Sequence, residues 1–501
     1  MDSDLTTKDI TLKKINEVYV KFIAEKHILK EASEYFTFFV PGHKFIPAFR
    51  NKIWDGKIRL LNLQTQNIYI GLIDYIKDFA DERGYTIDLE DNDTEDEYSV
   101  YHANKFFESL NLHSNNQKIS VRDHQQRAFI HAMQKRRALL LSPTASGKSL
   151  IIYLLIRQLL DYQNLRGLII VPTTSLVEQL YSDFADYSSH NGFDVSENVH
   201  RIYQGKEKVS DKAVIISTWQ SLYQMPAEYF QQFDYIIGDE AHLFKAQSLT
   251  TILTSCTKTK YRIGLTGTLD GTKTHKLVLE GLFGPVNKVI TTKELIDNKQ
   301  LSSFNIKCLV LKYTKEDCQF IKGKTYQEEL EFLVTSERRN KFIRNLTISL
   351  NKNTLVLFQL VEKQGKILYE MIKEKANGRQ VFFVYGGVET EDREKIRSIM
   401  EKENDAIIVA SFGTFSTGIN IRNLHNIIFA SPSKSRIRNL QSIGRGLRQS
   451  TGKEQATLYD IADDLRTGKT MNFTLQHFIE RVNIYTEEKF PFKLYNIELK
   501  P

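Results

Sequence analysis

The stretch Leu141–Ser149, with the sequence L-S-P-T-A-S-G-K-S, combines residue types that bind phosphate groups. It lies between the apolar run Ala138–Leu141, which predicts a buried strand, and the apolar run Leu150–Ile156, which predicts a helix. A tight loop at this junction presents backbone N–H groups and the helix N-terminus to phosphate oxygens. Lys148 is placed to reach the β- and γ-phosphates, and the Ser149 hydroxyl to hold Mg²⁺. The sequence therefore predicts a site for a nucleoside triphosphate.

One position departs from the usual phosphate-loop pattern G-x-x-x-x-G-K-[ST], because Ser142 stands where the first glycine is expected. An ordinary strand–helix turn that ends in a lysine is the alternative interpretation. If the loop binds phosphate, we expect the nucleotide to contact Pro143, Thr144, Ala145, Ser146, Gly147, Lys148 and Ser149.

Two adjacent carboxylates follow a second apolar strand pattern. Asp239 and Glu240 come directly after Asp234–Gly238, and ligands of parallel sheets collect beyond the carboxyl ends of the strands. We expect Asp239 to bind Mg²⁺ and Glu240 to orient or deprotonate the water that attacks the γ-phosphate. A polar strand end followed by a helix cap is the alternative interpretation of the pair.

A third group of residues supplies positive charge for phosphoryl transfer. The run Gln441–Arg448 places Gln441, Arg445 and Arg448 about one helical turn apart. Guanidinium groups suit the negative charge of a transferring γ-phosphoryl group, so we expect these three side chains to be catalytic. A solvated basic helix face is the alternative, and the two glycines within the run, which are poor helix formers, argue against it.

In this order, the three motifs resemble those of the superfamily 2 helicases. The resemblance implies ATP as the nucleotide, with Gln125 reading the adenine, and two lobes that close on ATP and open after hydrolysis. Further segments carry the same resemblance: Arg122–Gln125, Val171–Thr174, Ser217–Gln220, Thr266–Thr268, Leu355–Phe358 and Ser411–Asn420.

Two more segments, His43–Leu61 and Lys322–Glu329, are similar to phage UvsW-type helicases, so the resemblance spans most of the chain. It implies an ATP-dependent DNA helicase or translocase that moves 3′ to 5′. The substrates implied are forked or branched DNA in replication, recombination and repair, including branch migration. The partners are then a single-stranded tracking strand and the duplex beyond it.

Three other functions share parts of this pattern. The motor subunit of a restriction system has the same two lobes but needs a nuclease, and the short segment after Arg448 carries no persuasive nuclease cluster. An RNA helicase is disfavoured by Thr-Gly-Thr at Thr266–Thr268, where the DEAD-box group has Ser-Ala-Thr. A nucleotide-regulated DNA-binding scaffold is disfavoured because Lys148, Glu240 and Arg448 are all present.

Polar residues at predicted strand ends are candidate DNA contacts. Hydroxyl and backbone N–H groups fix a protein on phosphates without reading sequence, as a motor requires. For each threonine alone, a strand-end or helix cap is an equally good interpretation. The candidates are Thr173, Thr218, Ser411, Thr414, Thr417 and the backbone of Gly386.

The N-terminal segment interleaves basic and aromatic residues. Asp55-Gly56 is typical of a hairpin turn, and on the strand after it Lys57 and Arg59 face the same side. We expect this face to contact duplex or junction DNA, although a solvated surface is the alternative. We expect the nearby Phe45 and Phe49 to fill a small core, whereas Trp54 could equally pack or stack on a base.

The length of the chain and the alternation of strand and helix patterns predict its division into domains. At 501 residues with 41% hydrophobic content, the chain is long enough for about three domains. Domain boundaries are suggested by the acidic run at 88–97 and by Phe283–Pro285. They give a small N-terminal α/β domain at 1–98, a first lobe at 99–290 and a second lobe at 291–501 that ends in a helical segment. The fold class is α/β, with two tandem RecA-like, doubly wound parallel-sheet lobes.

The net charge and the cysteine content indicate how the protein binds DNA and in which compartment it works. The net charge of +7, from 68 basic and 61 acidic residues, is mild, so DNA binding must depend on local placement of charge. Three cysteines without metal-ligand spacing suit a reducing cytoplasm, that of a bacterial host if a phage encodes the protein. No stretch approaches transmembrane length, and we expect a monomer without membrane contact.

Overall fold

Strands and helices alternate along most of the chain in the computed structural model, which describes residues 8–90, 98–244, 247–418, 421–433, 435–447, 453 and 455–499. The chain divides into two compact units. The first comprises residues 1–142 and 147–289, and the second comprises residues 143–146 and 290–501. The first unit contains an N-terminal module and a parallel-sheet lobe, and the second contains another parallel-sheet lobe.

The N-terminal module is a small mixed α/β structure. Its elements are β1 (Ile10–Lys14), β2 (Tyr19–Ala24), α1 (Lys26–Tyr35), β3 (Thr37–Phe39), α2 (Pro47–Arg50), β4 (Lys57–Arg59), β5 (Asn67–Tyr69), α3 (Ile73–Arg83) and β6 (Ile87–Leu89). Four strands form a sheet in the order β5-β2-β1-β6, in which β1 and β6 are parallel and the other pairs antiparallel. A predicted α/β fold for this segment is confirmed.

The prediction of a tight hairpin at Asp55-Gly56 is wrong. Strand β4 pairs with β3, so residues 40–56 lie between the two paired strands and include short helices. Gly56 still needs to be glycine, because its φ is +79° and a Cβ there would lie 2.7 Å from the His43 ring. Phe45 is 76% exposed, so its predicted place in a core is also wrong. Phe49 is half-buried against the His43 ring, with 4.8 Å between ring centroids.

The first lobe is a seven-stranded parallel sheet covered by helices on both faces. Its elements are α4 (Val100–Ser109), β7 (His113–Ser114), β8 (Gln117–Lys118), α5 (Asp123–Lys135), β9 (Arg137–Leu141), α6 (Lys148–Gln163), β10 (Gly167–Val171), α7 (Thr174–Tyr187), α8 (Val195–Asn198), β11 (Val199–Ile202), β12 (Val214–Thr218), α9 (Trp219–Leu222), β13 (Tyr235–Asp239), α10 (Gln247–Ser255), β14 (Tyr261–Thr266), α11 (Lys273–Phe283) and β15 (Val286–Lys288). The strand order is β11-β12-β10-β13-β14-β9-β15. Strands β10, β12, β13 and β14 are buried throughout, as expected when both faces of a parallel sheet are covered.

The module and the first lobe share one hydrophobic core. Buried residues of the module, such as Phe22, Leu72 and Phe79, belong to the same apolar cluster as Leu277 and Phe283 of α11. A module that buries its apolar face against a neighbour is held by that neighbour, since burial of apolar surface is the main favourable term in folding. The N-terminal module is therefore built onto the first lobe.

The second lobe repeats the architecture with a second seven-stranded parallel sheet. Its elements are α12 (Thr292–Asp297), β16 (Ser303–Lys312), α13 (Lys315–Ile321), α14 (Tyr326–Thr335), α15 (Glu337–Ser349), β17 (Thr354–Phe358), α16 (Lys366–Lys375), β18 (Val381–Val384), α17 (Thr390–Lys402), β19 (Ile407–Ser411), α18 (Phe412–Gly418), β20 (Asn426–Phe429), α19 (Arg436–Gly446), β21 (Gln455–Asp464), α20 (Phe473–Glu487) and β22 (Phe492–Glu498). The strand order is β18-β19-β17-β20-β21-β16-β22. The predicted fold class of two RecA-like lobes with a small N-terminal α/β domain is confirmed. Strands β16 and β22 were not predicted, and β22 follows the C-terminal helix.

Two buried ion pairs hold helices onto β21 in the second lobe. Arg339 donates to both oxygens of Asp463, at 2.8 and 2.9 Å, and Arg481 donates to Asp460 at 2.8 Å. Hydroxyl groups of Tyr313 and Tyr485 donate to the same two carboxylates at 2.8 Å. Because charges so deeply buried are costly unless fully paired, these contacts fix where α15 and α20 meet the sheet.

Candidate functional site

The phosphate loop joins β9 to α6 with the backbone turned back on itself. Ala145 and Gly147 have φ angles of +68° and +84°, a left-handed conformation that favours glycine. A Cβ at Gly147 would lie 2.2 Å from Nε2 of Gln125. Ser142, at the position of the missing first glycine, is buried, and its N–H donates to the carbonyl of Thr266 at 2.8 Å. The serine therefore extends the sheet contact of β9 before the loop begins.

Gln125 lies against this loop, as the sequence predicts. Its Oε1 accepts from the N–H of Arg122 at 3.0 Å, and its Nε2 lies 3.5 Å from the carbonyl oxygen of Gly147. The side chain is 3% exposed. Its role with adenine stays a prediction, but its contact with the loop places it at the same site.

Lys148, Asp239 and Glu240 are brought together by the sheet. Strand β14 lies between β9 and β13, so that the carboxyl ends of the three strands meet at one edge. Lys148 Nζ donates to Oε1 of Glu240 at 3.1 Å, and Oδ1 of Asp239 accepts from the N–H of Glu240 at 2.9 Å. Glu240 has a φ of +51°, which turns its carboxylate back towards the lysine. A cation and two carboxylates of this kind are the groups that phosphoryl transfer requires.

The two carboxylates differ in their affinity for protons. Burial raises the pKa of Asp239 to about 6, although Lys148 opposes the shift. Burial also acts to raise the pKa of Glu240, but Lys148 and His242 outweigh it and hold that pKa well below its usual range. Without a cation beyond Lys148, Asp239 is therefore the carboxylate that binds a proton more readily. Such paired shifts in opposite directions are typical of functional sites.

Two contacts at this edge were not predicted from the sequence. Nδ1 of His242 lies 3.0 Å from the Thr266 hydroxyl, which links the end of β13 to the end of β14. The hydroxyl of Ser149 lies 2.9 Å from that of Tyr187, at the end of α7. His242 stands beside the carboxylate pair in the sequence and could have been found there. Tyr187 gives no such signal, because it is 38 residues from Ser149 along the chain.

The candidate DNA contacts of the first lobe lie at neighbouring strand ends. Thr173 lies just beyond β10, and Thr218 is the last residue of the adjacent parallel strand β12. Thr173 Oγ1 accepts from the N–H of Leu176 at 3.4 Å and caps α7, and Thr218 Oγ1 lies 3.0 Å from the Ser221 hydroxyl. Both side chains therefore have local partners, and their contact with DNA stays a prediction.

The candidates of the second lobe follow the same rule. Ser411 ends β19, and its Oγ lies 2.8 Å from Oγ1 of Thr414. Gly386 lies in an exposed turn after β18. Gln441 is part-buried on α19, which stays helical through Gly446. The remaining candidates lie outside the described residues: the side chains of Thr417 and Arg445, and Arg448 entirely.

Packing against the sheet explains one of the two glycines in α19. Both glycines of the predicted run lie within this helix, where their low helix propensity is costly. A Cβ at Gly446 would lie 2.1 Å from Cδ1 of Ile427 on β20. The absence of a side chain at Gly446 therefore lets the helix approach the sheet, and this packing is the structural purpose that the residue serves.

Lys57 and Arg59 lie on β4 of the N-terminal module. Lys57 is part-buried, with Nζ 5.0 Å from the centroid of the Phe39 ring, and Arg59 is exposed and paired with Asp55, its Nη1 lying 3.3 Å from Oδ1. Trp54 is part-buried, and its Nε1 donates to the carbonyl of Lys57 at 3.0 Å. The two basic residues thus belong to one local group with aromatic neighbours, remote in sequence from the nucleotide-site residues.

Comparison with known proteins covers nearly the whole chain. The family model for the N-terminal domain of the DNA helicase UvsW matches residues 9–90. The model described as the res subunit of type III restriction enzymes matches residues 118–271, and that of the helicase conserved C-terminal domain matches residues 337–450. Among the residues that the structure describes, no helix has the length and apolar character needed to cross a membrane.

Individual relatives show the same relationship. The ATP-dependent DNA helicase uvsW of Enterobacteria phage T4 is 34% identical over 496 residues, which are 96% of this chain and 98% of the relative. The crystal structure of T4 UvsW covers 98% of this chain and 100% of that one, with 33% identity and a TM-score of 0.53. A fragment of a putative HsdR subunit of a type I restriction enzyme from Vibrio vulnificus covers 85% of this chain and 83% of that one, with 17% identity and a TM-score of 0.57; it shows the fold alone.

The fold and the phosphate-loop site define an ATP-dependent DNA helicase with two RecA-like lobes. Full-length similarity then gives the family: the chain belongs to the UvsW family of DNA helicases. It therefore uses and hydrolyses ATP, and its substrate is DNA. The predicted resemblance is confirmed, and neither alternative, an RNA helicase or a restriction motor, is adopted.

Replacing Tyr187 with Phe tests whether its hydroxyl prepares Ser149 for the nucleotide. The change removes the 2.9 Å contact with Ser149 and keeps the ring. A net hydrogen bond contributes about 1 kcal/mol, so the ATP concentration for half-maximal hydrolysis should rise roughly fivefold. The maximal rate with single-stranded DNA should stay within about twofold.

Tyr153→Phe is the matched control for that measurement. Its hydroxyl accepts from Arg157 at 2.6 Å and from Asn191 at 3.2 Å, one turn along the helix that carries Ser149. This variant should lower thermal stability and leave the half-saturating ATP concentration unchanged. Equal effects of both substitutions on that concentration would show that Tyr187 acts through general packing.

Proposed function

We propose that this helicase moves 3′ to 5′ along one strand and remodels forked or branched DNA, including branch migration, in replication, recombination and repair. The observation that carries the proposal is the N-terminal module, which adds an exposed basic residue and aromatic groups to a lobe that already carries the phosphate loop. Two lobes suffice to translocate on one strand, so a further basic surface is best used on a second arm of the DNA. We further propose that it works as a monomer in the cytoplasm of a bacterial host, since its T4 relative is a phage protein.

We assign roles at the nucleotide site from its geometry. Lys148 contacts the β- and γ-phosphates and gives up its 3.1 Å contact with Glu240 to do so. Glu240, freed from the lysine, orients or deprotonates the attacking water. Gln125 contacts the adenine, and residues 143–149 line the phosphates. For Arg445, Arg448 and Gln441 the assignment rests on the family resemblance and not on geometry: we propose that they supply the positive and polar groups for the γ-phosphate.

Mg²⁺ fits the oxygen donors at this edge. Asp239 is 6% exposed and lies beside the Glu240 carboxylate, and both its burial and that negative charge act to raise its pKa. Hard cations such as Mg²⁺ take oxygen ligands and neutralise phosphate charge. Ser149 and Asp239 are the side chains that would hold the ion.

Glu240→Gln tests the assigned base. The amide keeps the shape of the side chain but cannot accept a proton, so ATP should still bind while hydrolysis slows at least ~10²-fold. Rapid-quench measurement of a single turnover, with ATP binding followed separately, distinguishes the two effects. Glu178→Gln, which alters a part-buried carboxylate paired with Arg201, is the control and should hydrolyse normally. Near-normal turnover in Glu240→Gln would refute the assignment.

The proposed grip on a second DNA arm centres on β4 and the segment before it. Lys44, Arg50 and Lys52 are exposed there, and so are the apolar side chains Phe45 and Ile53, at 76% and 79%. Basic residues pair with phosphates, and exposed aromatic rings can stack on bases. Together they support contact with DNA better than a merely solvated surface would.

Replacing Lys57 and Arg59 together with Ala should weaken binding to forked DNA. Loss of each phosphate contact should make the salt dependence of the affinity shallower by roughly one unit of log–log slope. Lys13 and Lys77, which pair with Glu90 and Asp74 elsewhere on the module, give a charge-matched double-alanine control. ATPase activity saturated with single-stranded DNA should barely change in either variant. An unchanged salt slope in the Lys57 and Arg59 variant would mean that this face is solvated surface.

Polarity and substrate are tested with labelled DNA. Streptavidin bound to one end of a single strand is pushed off by a motor that runs into it, so displacement should be fast at the 5′ end and slow at the 3′ end. A four-way junction and a fork should be processed faster than a duplex with a single-stranded tail. The opposite displacement preference would overturn the 3′-to-5′ polarity, and equal rates on all substrates would overturn the preference for branches.

A further inference from the structure

Helix α11 packs directly on two of the strands that end at the nucleotide site, β13 and β14. Cβ atoms at Gly238 and Gly264 would lie 2.8 and 2.9 Å from the ring of Phe283 on this helix. Gly238 directly precedes Asp239, and Gly264 lies opposite it on the neighbouring strand β14. The two glycines therefore let α11 approach the backbone that carries the catalytic carboxylates.

The first turn of α11 is tied to the loop that carries Glu240. Nε2 of His275 lies 2.8 Å from the carbonyl oxygen of His242, and its Nδ1 lies 2.9 Å from Oδ1 of Asp270. Asp270 also accepts from the N–H and the hydroxyl of Thr272, at 2.9 and 2.8 Å, and Thr272 caps the helix. Burial acts to raise the pKa of Asp270, but its hydrogen bonds with His275 and Thr272 keep it well below the usual range. The backbone at His242 is thus connected through His275 and Asp270 to the start of the helix.

The second half of α11 carries the N-terminal module. A Cβ at Gly71 would lie 2.1 Å from the carbonyl oxygen of Glu280, so module and helix touch backbone to backbone. The Tyr75 hydroxyl donates to Oε2 of Glu280 at 2.7 Å, while Oε1 of Glu280 accepts from the N–H of Val286 at 2.9 Å. Glu280 is 3% exposed, and Tyr75 is part-buried.

We propose that α11 couples the nucleotide site to the N-terminal module. His275 is the positioning residue at one end of this connection, and the contacts of Gly71 and Tyr75 with Glu280 form the other end. The two ends are five positions apart, or about 7.5 Å along a helix with a rise of ~1.5 Å per residue. Over that length a packed helix moves as one body, because protein interiors are dense and transmit displacement. A change at Glu240 and His242 then shifts the module as a unit.

The proposal rests on the function proposed above, in which the module grips a second DNA arm. It adds that this grip changes with the bound nucleotide. Free energy passed between two sites appears as a change of affinity, so the coupling is measurable at equilibrium. It is separable from movement of the two lobes, because single-stranded DNA engages the lobes without requiring the module.

The experiment measures DNA affinity of the full chain in ADP and in a non-hydrolysable ATP analogue. For each variant, the ratio of the two fork affinities is divided by the same ratio for single-stranded DNA, and the quotient is the module's coupling. In the unaltered protein it should differ from one by about fivefold or more. The quotient should move towards one in Gly71→Ala and in His275→Gln, and should move at least about twofold closer to one in Tyr75→Phe.

Tyr85→Phe is the matched control, because the Tyr85 hydroxyl donates to Glu31 at 2.9 Å within the module itself. Its quotient should equal that of the unaltered protein. Gly71→Ala combined with His275→Gln should bring the quotient no closer to one than either change alone. Both changes break the same connection, which runs through α11.

The outcomes separate this proposal from the one it rests on. A quotient of one in the unaltered protein, or an unaltered quotient in both Gly71→Ala and His275→Gln, overturns the coupling. The double alanine variant of Lys57 and Arg59, with α11 left unchanged, tests the grip alone. Its loss of fork affinity does not depend on the coupling through α11. Tyr75→Phe keeps the test decisive if the other substitutions destabilise the fold, because it removes one hydroxyl and preserves the ring.

Discussion

The meeting of parallel strand ends at one edge of the first sheet is the constraint on which the site depends. Lys148 and Glu240 are 92 residues apart, yet their side chains lie 3.1 Å from each other because β9, β14 and β13 are neighbours. Parallel strands force this arrangement, since every strand then delivers its following loop to the same edge. The left-handed backbone at Gly147 and Glu240 adds the local turn that aims both groups at one point.

In the second sheet, polar residues also collect at the carboxyl ends of parallel strands, but the helices are held to the sheet by different contacts. Ser411 and Thr414 gather beyond β19, as Thr173 and Thr218 do beyond β10 and β12. In this lobe, however, helices α15 and α20 are anchored to β21 by buried arginine–aspartate pairs. Such pairs are costly to bury, and their geometry gives orientation more than net stability.

The N-terminal module is attached to the first lobe more closely than the sequence suggests. An acidic run suggested a separate domain on a connector, whereas the module shares a hydrophobic core with the first lobe and rests on α11. The small residues at this contact, Gly71 and Gly281, are what allow the approach; a Cβ at Gly281 would lie 2.7 Å from the Tyr69 ring. The module is therefore fixed to the helix that packs on the strands of the nucleotide site.

The sequence by itself determined the fold class and the residue types of the ATP site, because these depend on local order: an apolar strand, a glycine-lysine-serine turn and a carboxylate pair. It failed where distant segments decide the outcome. The partner of β4, the exposure of Phe45, the contact of Tyr187 with Ser149 and the seat of the module on α11 all join residues far apart in the chain. Tertiary structure alone decided them, since packing, unlike hydrophobic periodicity, leaves no repeating pattern in one sequence.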